Sequence, residues 1–264
     1  MGLFDIFRKK EQQTEKEQQT ETVPTGTSGQ EPANNKYLGD LEKTNIIFGL
    51  IKVPVEDRDE EWQKIFLENI VEASFRCGTP QVISGPDGFP YVQLLMPKPN
   101  ESFQCYVIDR MKDDFLLESG YGVVINPEGG QPDWVLTYGD IMNLDLTGSF
   151  YTTEPTPFSN IQEDETIEGE ENVLVGQPSE QILTVRNREI LRAYLISVGV
   201  PSPKVFLMSR SNGSQELVFN LIPENFEDEE VFRNVMQRLG WFLPRHYSFV
   251  GMNEDTFKNS FMPL

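Results

Sequence analysis

The sequence predicts an α+β protein of two small domains, each with helices packed on an antiparallel sheet, after a disordered N-terminal tether. Three observations lead there. Apolar residues in the 264-residue chain switch from a helical period to short β-rich runs, and do so twice. The length itself suggests one to two domains. Two stretches read as unpacked, the first because it lacks the apolar surface needed to offset the entropy of ordering a chain, the second because of its length and charge. Residues 11–36 hold one large apolar side chain, Val23, and residues 151–180 hold eight acids, no Lys or Arg, and Pro155, Pro157 and Pro178. The expected organisation is a tether over 1–36, a first domain over 37–150, an acidic linker over 151–180 and a second domain over 181–264.

Asp40 is placed to cap a helix whose stripe is Leu41, Thr44, Phe48 and Ile51, stopping before Pro54. Asp57 or Asp59 caps a second helix. Trp62, Ile65, Phe66, Asn69, Ile70 and Ala73 share one of its faces, and Gly78 and Pro80 end it. Strands are expected at 81–84 and 89–96 around the turn Gly85-Pro86-Asp87-Gly88. Further strands are expected at 103–109, 122–126 and 134–137, the last two joined by Glu128-Gly129-Gly130.

In the second domain Ile190, Leu191, Tyr194, Leu195 and Val198 make a helical face, closed by Gly199 with Pro201 beyond. Strands at 204–209 and 216–222 flank an Asn212-Gly213 turn. Asp228 caps a helix with Val231, Phe232, Val235, Met236 and Leu239 inward. A strand at 247–250 and a short terminal helix capped by Asn253 complete the domain. No residue-level repeat links the two halves.

There are 42 Asp and Glu, 22 Lys and Arg, one His and two Cys, for a net charge of −20. Nucleic acid is disfavoured as a partner, because phosphates need clustered cations. One His and two Cys cannot build a His- or Cys-rich metal centre. Cys77 and Cys105 suit a reduced compartment better than a disulfide framework. The short apolar start carries Asp5, so it does not read as a secretory signal, and no apolar run nears the roughly 18 residues of a membrane span. A cytoplasmic protein is expected.

The charge is uneven. Residues 113–185 carry 15 acids and no Lys or Arg, while the rest of the chain carries 27 acids and 22 bases. The sector includes Asp113, Asp114, Glu118, Asp133 and Asp140, and then Glu163, Asp164, Glu165, Glu168, Glu170 and Glu171. Two accounts compete: steering of a basic protein partner, or a solvated surface without one. At the N-terminus Leu3, Phe4 and Phe7 share one side of a short helix, followed by Arg8, Lys9 and Lys10. That pattern suits weak docking to a partner or to the inner face of a membrane. The alternative is a frayed start, since a helix this short is marginal in water.

Enzymatic chemistry finds little support. His246 is the only histidine, and Pro244-Arg245-His246-Tyr247 offers it no local nucleophile or carboxylate. No nucleophile elbow, phosphate-binding loop or zincin helix is present. The acids at 56–61 and 224–230 complement helix N-termini. Asp140, Asn143 and Asp145 are too sparse for a metal site, and 163–171 lacks EF-hand spacing. No cofactor and no catalytic residue is expected, and a carboxylate-based hydrolase has no positive sign. Trp62, Trp134 and Trp241 are expected to pack in the core. The segments 85–91 and 133–140 combine aromatics, acids and turn residues, as a binding rim or as tight turns.

Gln177-Pro178-Ser179, the helix at 189–198, the strands at 204–208 and 216–221 and the final helix–strand pair carry a resemblance. The region 177–264 resembles the C-terminal domain of bacterial enhanced-serine-sensitivity (SseB-type) proteins and, more loosely, the type III secretion chaperone-like fold. That resemblance implies a non-enzymatic, partner-binding bacterial cytoplasmic protein with no catalytic motif. The expected function is a protein-binding, chaperone-like adaptor whose acidic surface meets a basic partner. The alternative is an immunity or antitoxin protein that neutralises a basic toxin.

Overall fold

The computed structural model describes residues 38–128, 130–159, 173–257 and 259–264. The expectations for 1–36, among them Leu3, Phe4, Phe7, Arg8, Lys9 and Lys10, lie outside the described residues. So do those for Glu163, Asp164, Glu165, Glu168, Glu170 and Glu171. The fold is α+β, with two sheets that are mainly antiparallel. Two compact units divide between Leu136 and Thr137, upstream of the 151–180 stretch that composition marks.

The first unit runs α1 (Leu41–Leu50), α2 (Glu60–Ile70), β1 (Arg76–Ser84), β2 (Pro90–Leu95), a helical stretch α3 over 108–119, β3 (Gly122–Ile125) and β4 (Trp134–Leu136). Asp40 starts α1, its Oδ1 accepting from Glu42 N and Lys43 N. Thr44 Oγ1 donates to Asp40 O and accepts from Ser74 N, which fixes the helix's rotation. Ile47 is therefore the buried residue of α1, and Leu41, expected inward, is exposed.

Asp59 caps α2 through Trp62 N. Trp62, Phe66 and Ile70 turn inward as their spacing predicts, each contributing roughly 1.5–3 kcal/mol by burial. The helix ends at Ile70, so Gly78 and Pro80 do not terminate it; they lie inside β1. Proline is tolerated there because β1 is an edge strand, where a missing donor breaks no ladder. Its register against β2 shifts between Cys77 and Val82.

The strand expected at 103–109 is absent. Phe75 and Tyr106 form a single bridge, and the chain turns helical at Ile108. Lys112–Leu116 of α3 is a π-helical turn. It brings Met111 and Leu116, five residues apart, to the buried side with Ile108 and Leu117. That spacing hides the helix from a search at period 3.6. The strand order is β1-β2-β3-β4. Because α3 carries the chain across, β2 and β3 are parallel, and the other pairs are antiparallel.

The second unit runs α4 (Tyr138–Thr147), β5 (Leu174–Gly176), α5 (Val185–Ser197), β6 (Lys204–Ser209), β7 (Gln215–Phe219), α6 (Glu229–Leu239), β8 (Phe249–Gly251) and β9 (Met262–Pro263). Helix α4 escapes sequence reading because every residue from Tyr138 to Leu144 is buried, leaving no polar face to mark a period. The α5, β6, β7, α6 and β8 elements follow the expected order, with Gly213 at φ 86° in the hairpin turn. The sheet order is β5-β6-β7-β8, with β9 on β6, and the β7–β8 pair is parallel.

Parts of the 151–180 stretch are packed. Phe158 is buried and stacks on Tyr247 at 4.3 Å, and β5 pairs with β6. The terminal helix expected after Asn253 is replaced by turns and β9. This segment serves as an apolar cover: Met252, Phe257 and Phe261 pack on Phe206, Met208 and Val218. A cover built from isolated side chains needs no helical period.

The order α2-β1-β2-α3-β3 in the first unit recurs as α5-β6-β7-α6-β8 in the second. Each is a helix, an antiparallel hairpin and a helical crossover to a third, parallel strand.

Candidate functional site

In the first unit, an arginine immediately before the cap of α2 organises a cleft. Arg58 Nε donates to Val53 O at 3.1 Å, Nη1 to Asp133 O at 3.3 Å, and Nη2 to Ile51 O at 3.4 Å and Asp133 Oδ1 at 2.6 Å. Its guanidinium lies 4.5 Å from the centre of the Trp62 ring. Trp62 Nε1 donates to Leu50 O at 2.9 Å. Asp133 also accepts from Asn126 Nδ2 at 2.7 Å, and Asn126 Oδ1 accepts from Met96 N. These contacts hold the loop before α2 against the start of β4.

The result is an open cleft of about 570 Å³. Trp62 and Trp134 lie 5.9 Å apart within it, both packed on Phe66. Asp59 and Glu60, both exposed, stand on its rim, and Gln63, Gln131 and Pro132 complete the lining. Three carboxylates line it against one guanidinium and a helix N-terminus worth about half a positive charge. The cleft is therefore negative. The volume falls in the usual range for a small-ligand or side-chain pocket.

Among the described residues, five acids of the 113–185 sector separate into two groups. Asp113, Asp114 and Glu118 are exposed on α3, with Lys112 Nζ 2.9 Å from Asp113. Asp133 and Asp140 instead close intrachain ion pairs, so their charges are largely neutralised by arginine. Asp140 is 0% exposed and accepts from Arg245 Nε at 2.8 Å and Nη2 at 2.9 Å. A third pair of this kind, Arg210–Glu216, is buried in the second unit at 3.2 Å.

Asp140 is also the third residue of α4 and forms a reciprocal cap with Thr137. Burial works against the Arg245 charge, but Asp140 and Tyr151 more than offset this and hold its pKa above the ordinary value. Asn187 plays the same double part in α5, capping with Thr184 and donating to Tyr138 Oη at 2.8 Å. Burial pushes the Tyr138 phenol far up, despite that hydrogen bond.

His246 stands edge-on beside the stacked Phe158 and Tyr247 rings, 4.8 Å from Tyr247 and 6.4 Å from Phe158, and burial lowers its pKa. Cys77 and Cys105 are both free thiols; Cys77 donates to Gln93 O, and burial pushes its pKa up. Among the described residues, no group of three or more His, Cys, Asp or Glu could hold a metal ion. No described helix is long and apolar enough to cross a membrane.

Of the cleft's charged residues only Asp133 is marked as a site residue by the sequence; Arg58, Asp59 and Glu60 are not. The available signal was slight: an arginine before a capping aspartate, with a tryptophan four residues on. No family model matches the chain, and neither a curated protein nor a solved structure matches it.

Proposed function

We propose that the chain is a non-catalytic, chaperone-like adaptor that binds a protein partner rich in Lys and Arg, in the cytoplasm. The observation that carries this reading is the sorting of its acids. Buried or half-buried carboxylates (Asp133, Asp140 and Glu216) are each closed by an arginine of the same chain. Asp59, Glu60, Asp113, Asp114 and Glu118 are exposed to solvent on the first unit, Asp113 beside Lys112 and Asp59 as the cap of α2. Exposed like charges on a small unit raise the local concentration of a cationic partner and speed its encounter. The resemblance of 177–264 to SseB-type domains supports the same class of function. The test is co-purification with the native full chain at low and high salt. Partners enriched in Lys and Arg that are lost at high salt are expected; no salt-dependent partner would overturn the proposal.

A further inference from the structure

We propose that the Trp62–Trp134 cleft is a receptor for an arginine side chain presented by the partner. The inference rests on the basic-partner reading and adds where that partner is held and by which group. The cleft already holds one guanidinium. Arg58 lies over the Trp62 ring and is bound by the Asp133 carboxylate and by backbone carbonyls. The surroundings thus offer what a guanidinium requires: a flat aromatic face, carboxylates and neutral acceptors.

Arg58 occupies the Trp62 side and leaves about 570 Å³ of open cleft. The remaining walls repeat the same chemistry. Trp134 supplies an indole, Asp59 and Glu60 supply carboxylates, and Gln63 and Gln131 supply amide oxygens. Asp59 uses Oδ1 to cap Trp62 N, and its second carboxylate oxygen can accept from a ligand. An anion is the wrong occupant. Arg58 is already committed to Asp133, and the carboxylates outweigh the helix N-terminus. Arginine is favoured over lysine because its planar fork can stack on indole and reach several acceptors at once.

The test is calorimetric titration of the full chain with capped octapeptides of alternating Arg–Gly, Lys–Gly and Glu–Gly. The Arg–Gly peptide is expected to bind about fivefold more tightly than Lys–Gly, as a cation–π preference of this kind allows. The Glu–Gly peptide is expected not to bind. Trp134→Ala should abolish the Arg preference. Because Trp134 also packs on Trp62 and Phe66, Glu60→Lys on the exposed first turn of α2 is the second variant. It should weaken Arg–Gly binding about tenfold or more. Equal affinity for the Arg and Lys peptides, or unchanged binding by Glu60→Lys, would overturn the cleft assignment. If basic peptides still bind in a salt-dependent way, the adaptor reading survives that result. If none does, both fail.

Discussion

Arg245 closes over Asp140 with two parallel hydrogen bonds, Nε to Oδ1 at 2.8 Å and Nη2 to Oδ2 at 2.9 Å. The two partners are not equivalent: the arginine side chain is 57% exposed and the aspartate 0%. Arg245→Ala leaves a buried carboxylate without its cation and is expected to cost about 3–5 kcal/mol. Asp140→Asn keeps the shape of the cap and frees an arginine that water can reach, so it should cost less, about 1–3 kcal/mol. Denaturant unfolding of both variants checks the order.

Gly139 inverts the usual helix rule. Alanine normally stabilises a helix over glycine by about 1 kcal/mol. Here a Cβ would meet Leu243 O at 2.0 Å, and that atom is backbone. Gly139→Ala should therefore destabilise by about 1–3 kcal/mol or more. Gly176→Ala on β5, with nothing within 4 Å, is the control and should be near neutral. Thermal melts of the two variants provide the comparison.

Glu254 ties the terminal segment to the second sheet. Its carboxylate accepts from Lys204 Nζ and from Asn220 Nδ2, and these bonds hold its pKa below the ordinary carboxylate value. The stability it contributes is present above about pH 4.3 and is lost as pH falls through the lowered folded value. Solvent screening keeps the effect modest, since the side chain is 44% exposed. Hydrogen-exchange protection at 252–257, corrected for the intrinsic pH dependence of exchange, should fall on acidification in the native chain. In Glu254→Gln it should be low already at neutral pH.

His246 titrates in a different window. Burial lowers its folded pKa, so the native state favours the neutral ring. Its contribution is intact above about pH 6.5, falls as pH drops towards the folded value and is constant below it. His246→Gln should flatten this slope in melts taken between about pH 7.5 and pH 5. An unchanged slope would assign it to other groups.

Legibility followed the physics of each element. α2 and α6 were readable because their buried residues recur at the ideal helical spacing beneath Asp59 and Asp228 caps. The Gly85–Gly88 and Asn212-Gly213 turns announced their hairpins. Helix α3 was hidden by its π turn, α4 by burial from Tyr138 to Leu144. The cleft was legible only in fragments. Arg58 meets Asp133 across 75 positions, and no local pattern encodes such a pair.

The adaptor reading turns on exposed acids of the first unit meeting a cation. Its most direct measurement is the affinity of the full chain for octalysine and octaglutamate by fluorescence anisotropy, at about 50 and about 300 mM salt. Only octalysine is expected to bind, salt should weaken it severalfold, and the Asp113→Asn, Asp114→Asn, Glu118→Gln triple variant should weaken it further. Equal binding of both peptides, or affinity for octalysine that salt and the triple variant leave unchanged, would contradict the adaptor reading.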